Sequence, residues 1–236
     1  FLEPALGVAW SFRATVGILA VIAVICMLVP AFGIDETVYA ETEPSSTPMW
    51  QSVKKTFCNH DFQVFELSDV LYWVAITMFQ TGMPYYITEL MGFDDSMAFV
   101  FFAGMTVISL LFYAPVNMLA KRIGKKKLVA FAFFFFCLAF AVTSICGQFG
   151  IPSMAWGVCV AILAAIPMAV LGILPQAVLA DIAESDAVTT GENREGMFYA
   201  ARTFSMTLGQ TLAMILFTSI SIMGANGFGY RMTAVV

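Results

Sequence analysis

The chain is a succession of apolar runs separated by short polar stretches, and six runs approach the ~20 residues a helix needs to cross a hydrocarbon core of roughly 30 Å. The first extends from about Ala14 to Phe32, the second from about Phe65 to Thr88 and the third from about Met97 to Leu119. The fourth, about Leu128 to Gln148, contains Phe133 to Phe136. The fifth, about Met154 to Ala180, is interrupted by Pro167 and Pro175, and the last covers about Tyr199 to Met223. These segments are too long and too nearly charge-free for the core helices of a soluble domain. A helix also satisfies its own backbone polar groups, as lipid demands. The fold class is therefore an all-α, multi-pass membrane protein.

Composition agrees: 60% of the residues are hydrophobic and 11% charged, a mix outside the range of soluble globular domains. The net charge of −5 says little about partners, because the acids are divided among loops. Lipid is the expected surround, the cell membrane (plasma or inner) the expected location, and no nucleic-acid partner is expected.

Orientation follows from the cations, since short cytoplasmic loops are enriched in Lys and Arg. Lys121, Arg122, Lys125, Lys126 and Lys127 place the loop after the third span inside. Alternation then puts Lys54, Lys55, Arg194 and Arg202 inside as well, with Arg13 and Arg231 outside. The first residue falls outside the cell with no charged n-region ahead of it, which leads us to expect an earlier span. The last span runs outward into Gly224, Asn226, Gly227 and Gly229, and a return helix is expected after it.

Asp35, Glu36, Glu41 and Glu43, followed by Pro44, Ser45, Ser46, Thr47 and Pro48, read as a flexible acidic linker. The expected organisation is a first helix over 1–33, a cytoplasmic loop over 34–63, and a transmembrane bundle over 64–236. Within the loop, Met49, Trp50, Val53 and Phe57 share one helical face while Gln51, Lys54 and Lys55 share another. This pattern predicts a short helix, either on the membrane surface or packed on the protein.

Five cysteines, Cys26, Cys58, Cys137, Cys146 and Cys159, show no C-x-x-C spacing, and no disulfide framework is implied. His60 is the single histidine and is placed in a loop, so no metal site is expected. No phosphate loop, catalytic carboxylate pair or nucleophile elbow appears, and neither an enzyme nor a cofactor is indicated.

The chemistry lies in polar groups set within apolar helices, where each ionisable side chain is costly and normally faces a cavity or a partner. In the second span, Asp69, Trp73, Thr77, Gln80 and Pro84 recur at helical spacing and form one stripe. In the last span, Arg202, Thr203, Thr207, Gln210 and Thr218 lie close to a second. Two such stripes can face one aqueous path, with Trp73 offering an aromatic face to a sugar ring. Alternatively, Thr and Gln are hydrogen-bonding contacts between dry helices. Pro167, Gly172 and Pro175 would let the fifth span bend.

The densest polar feature follows the fifth span: Asp181, Glu184 and Asp186, then Glu192, Arg194 and Glu195. Acids and arginines alternating at a cytoplasmic mouth suit an ion-pair network that holds an inner gate shut, with Asp181 and Arg202 at the helix boundaries. The other reading is a solvated loop with surface pairs of little energetic consequence.

The runs Leu179-Ala180-Asp181-Ile182-Ala183-Glu184-Ser185-Asp186, Thr190-Gly191-Glu192-Asn193-Arg194-Glu195-Gly196-Met197 and Ala120-Lys121-Arg122-Ile123-Gly124-Lys125-Lys126 resemble those of the glycoside-pentoside-hexuronide:cation symporters of the major facilitator superfamily, a family that includes the melibiose carrier. The resemblance implies that the six spans correspond to helices six to eleven of twelve. The remainder of the N-terminal bundle, with most of the cation-coordinating carboxylates, would then lie outside this chain. It implies symport of a sugar, glycoside or uronide with Na⁺ or H⁺ by alternating access. The substrate path would be lined by Asp69, Trp73, Thr77, Gln80, Thr203, Thr207 and Gln210. The cytoplasmic gate would be formed by Lys121, Arg122, Asp181, Glu184, Arg194 and Arg202. One departure stands out: the family often places a Lys near the position of Thr207. An uncoupled facilitator, a lysolipid carrier of the kind found among eukaryotic relatives, and a membrane sensor or assembly subunit that moves nothing are the alternatives.

Overall fold

A computed structural model describes residues 8–33, 48–147, 152–224 and 227–235. The chain divides into two compact units, Phe1–Pro44 and Ser45–Val236. In the first, helix α1 (Val8–Gly33) carries a single charge, Arg13, whose guanidinium lies 5.2 Å from the centre of the Trp10 ring. An apolar helix with no polar face suits lipid on all sides. Asp35, Glu36, Glu41 and Glu43 of the expected acidic linker lie outside the described residues.

The second unit contains α2 (Met49–Cys58), α3 (His60–Tyr85, continued by a π-helical turn over Tyr86–Leu90), α4 (Ser96–Ile123), α5 (Lys125–Ser144), α6 (Ser153–Thr190), α7 (Glu195–Ser221) and α8 (Phe228–Val235). No strand occurs among the described residues. Among the described residues, six helices are long and apolar enough to span a membrane, and they overlap the six expected runs. The fold is that of an all-α membrane protein.

The helices outrun their apolar runs, chiefly at the basic end of the bundle, where Lys121, Arg122 and Lys125–Lys127 lie. His60, expected in a loop, opens α3 behind Asn59, whose side chain accepts the Phe62 amide hydrogen at 3.1 Å. The fifth span is corrected most. Pro167 and Pro175 do not interrupt α6, and residues 181–190 are its last turns rather than a loop. At 1.5 Å per residue its 38 residues extend about 57 Å, well beyond the ~30 Å core. Left-handed Gly191 (φ 70°) ends it, and its N–H bonds the carbonyl of Ala187.

α3 packs along α7, and α6 lies against both α4 and α5. Buried Phe79 meets Phe136 and Phe140 edge-on, with ring centres 5.8 and 5.5 Å apart. Gly209 brings the α7 backbone close to α3: a Cβ there would sit 3.1 Å from the Val70 carbonyl oxygen. At the end away from Lys125, Arg231 Nη1 of α8 donates to the Ser144 carbonyl at 2.9 Å, and the Tyr86 hydroxyl bonds Thr233 at 3.0 Å. Arg231 and the lysine cluster thus lie at opposite ends of the 20-residue α5, as the charge pattern requires.

α2 forms as expected, with an unexpected inner side. Ser52 and Thr56 are its buried residues, while Met49 and Trp50 are three-quarters or more exposed. The helix packs on the protein through small polar side chains and leaves its aromatic face open.

Candidate functional site

The polar residues of the second unit gather into two ion-pair assemblies near its basic end and one line of polar side chains leading away from them. The first assembly starts at Asn59. Besides capping α3, its side-chain amide donates to Asp186 Oδ1 at 3.0 Å. The other oxygen of Asp186 takes the guanidinium of Arg194 at 2.6 Å, and both side chains are more than nine-tenths buried. Beyond Arg194, Glu192 lies 3.6 Å from its Nε and receives Lys55 of α2 at 3.0 Å. A chain of charge from Lys55 to Asn59 therefore joins α2, the 191–194 turn, α6 and the start of α3. Beneath it, Phe62, Leu179, Ala183, Phe198 and Ala201 form an apolar plug, with the Phe62 and Phe198 rings edge-to-face at 5.1 Å. Shielding from water is what makes such pairs strong and their loss costly.

The second assembly joins α3 to α7. Arg202 grips both oxygens of Asp69, Nε to Oδ2 at 2.9 Å and Nη2 to Oδ1 at 3.1 Å. The indole N–H of Trp73, one turn further along α3, also donates to Oδ2 at 3.1 Å. The ring of Phe65 lies 5.9 Å from the Arg202 guanidinium carbon. Arg202 was expected at a helix boundary in the gate and Asp69 in the substrate path. Arg202 lies inside α7 rather than at its boundary, and the two are buried partners.

Asp69 also borders a cavity of about 430 Å³ between α3, α5 and α6. Phe133, Leu171, Pro175 and Val178 make most of it apolar, and Lys125 and Asp181 lie on its wall. Those two pair at 2.6 Å, and Lys125 also donates to the Ala177 carbonyl at 3.3 Å. Both side chains stay partly exposed, so this pair is easily separated. Asp181 lies ten residues inside α6 rather than at its boundary. Glu184, Lys121 and Arg122 are exposed and form no ion pair among the described residues.

The expected α3 stripe changes character along its length. Asp69 is buried, Trp73 and Thr77 are half-buried, and Gln80 is exposed. On α7, Arg202 and Gly209 face α3, whereas Thr203 and Thr207 lie on an exposed face with their hydroxyls on carbonyls one turn back, Tyr199 at 2.9 Å and Thr203 at 3.0 Å. Gln210 is half-buried between the two faces. The sequence pattern placed Asp186 in an ion-pair network with Arg194, but it did not single out Asn59 and Lys55 as their partners or Lys125 as the partner of Asp181. Lys125 follows Gly124, the left-handed residue (φ 92°) that separates α4 from α5, and so stands on the first turn of α5 facing α6.

Residues 7–236 match the family described as MFS/sugar transport protein. No curated protein and no solved structure matches the chain.

Proposed function

The chain belongs to the MFS/sugar transport protein family, membrane transporters of the major facilitator superfamily, and on that premise we propose that it carries a sugar, glycoside or uronide by cation-coupled alternating access. The observation that carries this reading is the graded polar line of α3, from buried Asp69 through Trp73 and Thr77 to exposed Gln80, beside an α7 face bearing Thr203 and Thr207. A wholly dry bundle would have little use for polar side chains left open at mid-helix. A bundle that forms one wall of an aqueous path needs them there.

In this mechanism the wall rocks against a second bundle around a midplane site. Gln80, Thr77, Thr207 and Gln210 supply hydrogen bonds to solute hydroxyls, and Trp73 supplies a ring whose orientation its bond to Asp69 holds. The Lys125–Asp181 pair and the Arg194–Asp186 assembly act at the cytoplasmic side, the first as a latch that opens and the second as the rigid body it closes on.

The test is uptake of radiolabelled disaccharides, glycosides and uronides into vesicles bearing the complete protein, with and without imposed Na⁺ and H⁺ gradients. Accumulation driven by one gradient supports symport. Equilibration without accumulation supports the uncoupled facilitator, the reading favoured by Thr207 standing where the family often carries Lys. Uptake of none of these solutes overturns the proposal.

A further inference from the structure

Among the buried carboxylates of the described residues, one takes part in neither assembly. Glu66, one helical turn before Asp69 on the same side of α3, is 7% exposed, and neither of its oxygens has a hydrogen-bond partner among the described residues. Its setting is nonetheless polar. On its own helix it faces Asp69, and on α7 it faces Arg202 and the hydroxyl of Ser205, itself buried. The guanidinium that would neutralise it is already spent on Asp69, whose two oxygens it holds. An ionised carboxylate in such a buried site, with the Ser205 hydroxyl as its one nearby donor and a like charge one turn away, is costly.

We propose that Glu66 is a proton-binding site in this bundle and carries the coupling proton of transport. The proposal rests on the transport reading above and adds the identity of the ion. In this proposal the proton resides on Glu66 while Arg202 is paired with Asp69. When α3 and α7 shift, Arg202 leaves Asp69 for Glu66, and the proton departs through the cavity that borders Asp69. The step balances: one O–H bond on Glu66 breaks, the proton passes to water, and the guanidinium compensates the new negative charge. Asp69, left without its guanidinium, still keeps the Trp73 indole N–H as donor. Two carboxylates sharing one guanidinium cannot both be ionised cheaply, and that competition links protonation to helix movement.

The experiment has two readouts on wild-type protein, Glu66→Gln and Glu66→Asp, all reconstituted in vesicles. Infrared spectra recorded across pH follow the C=O stretch of a buried protonated carboxyl. Uptake of the labelled sugar panel under an imposed pH gradient follows coupling. The expected result is a carboxyl band in wild type that is absent from Glu66→Gln, together with loss of at least tenfold in pH-driven accumulation while sugar exchange across the membrane continues. Glu66→Asp keeps a carboxyl band and coupled uptake, with a displaced pH profile, which separates proton binding from a folding defect. A wild-type band that survives in Glu66→Gln, or unchanged pH-driven accumulation in that variant, overturns the proposal. If wild type moves none of the sugars, the transport reading fails, and with it the coupling role, while the infrared band alone decides whether Glu66 binds a proton.

Discussion

Arg202 reaches from α7 to α3 and holds both carboxylate oxygens of Asp69, 133 positions away in the chain, in a site where less than a tenth of either side chain meets solvent. This pair is the principal polar tie between the two helices, and Gly209, two turns on, lets them approach closely enough for it to form.

Asp69→Asn removes the charge but not the shape, and leaves Arg202 buried without a counter-ion. A broken buried pair costs roughly 3–5 kcal/mol, whereas replacing both partners costs much less. Thermal unfolding in detergent is therefore expected to fall markedly for Asp69→Asn and for Arg202→Gln, and to recover by at least half in the double variant. Additive losses would show that the two residues act independently.

The two ion pairs at the basic end are expected to respond differently. Arg194→Ala strands Asp186 in a buried site and should lower stability by ~3–5 kcal/mol. It should also speed amide hydrogen exchange over residues 49–58, because Lys55 and Asn59 are tied to the same network. Asp181→Ala removes a partly exposed pair worth ~0–1 kcal/mol, so it should leave stability alone while slowing turnover severalfold. Equal stability losses in the two variants would contradict the division into latch and rigid body.

At Gly209 the space decides the outcome. A methyl group there meets the Val70 carbonyl at 3.1 Å and Trp73 Cβ at 3.4 Å, so α3 and α7 must part by a few tenths of an ångström. Gly209→Ala should lower the melting temperature by a few degrees, and Gly209→Leu should abolish uptake. Normal uptake by Gly209→Leu would mean that the two helices do not need this contact.

Thiol reactivity gives a pH-dependent check. Burial pushes the Cys146 thiol above the usual range, which lowers its thiolate fraction at neutral pH. It should react with a maleimide more slowly than exposed Cys58 at neutral pH, and its rate should rise as the pH is raised. A Cys146 as reactive as Cys58 would show that the end of α5 opens readily.

The six spans were legible because lipid imposes a length and a composition on each run, and charge in the intervening loops gave a self-consistent orientation. Helix ends were not, since hydropathy marks where lipid stops and not where the helix does: α6 continues through Asp181, Glu184 and Asp186 to Gly191. The α3 stripe could be read from its spacing. Which of its members are buried depends on α7, and no local pattern announces that Arg202 faces Asp69 while Thr203, one residue later and about 100° around the helix, faces outward. For α2 the amphipathic pattern predicted a helix correctly, yet the side that packs is the one bearing Ser52 and Thr56, because contacts with the bundle and not apolarity select it.

If α3 and α7 form one wall of a transport path, their open polar side chains face water inside the membrane. In a background lacking the exposed cysteines Cys26, Cys58, Cys137 and Cys159, single cysteines at Gln80 and Thr207 can be compared with cysteines at the exposed apolar positions Leu67 and Phe131, using a membrane-impermeant maleimide on protein in vesicles. The expected result is labelling at Gln80 and Thr207, slowed by a transported sugar, and little labelling at Leu67 and Phe131. No labelling at Gln80 and Thr207, or equal labelling at all four positions, would contradict it.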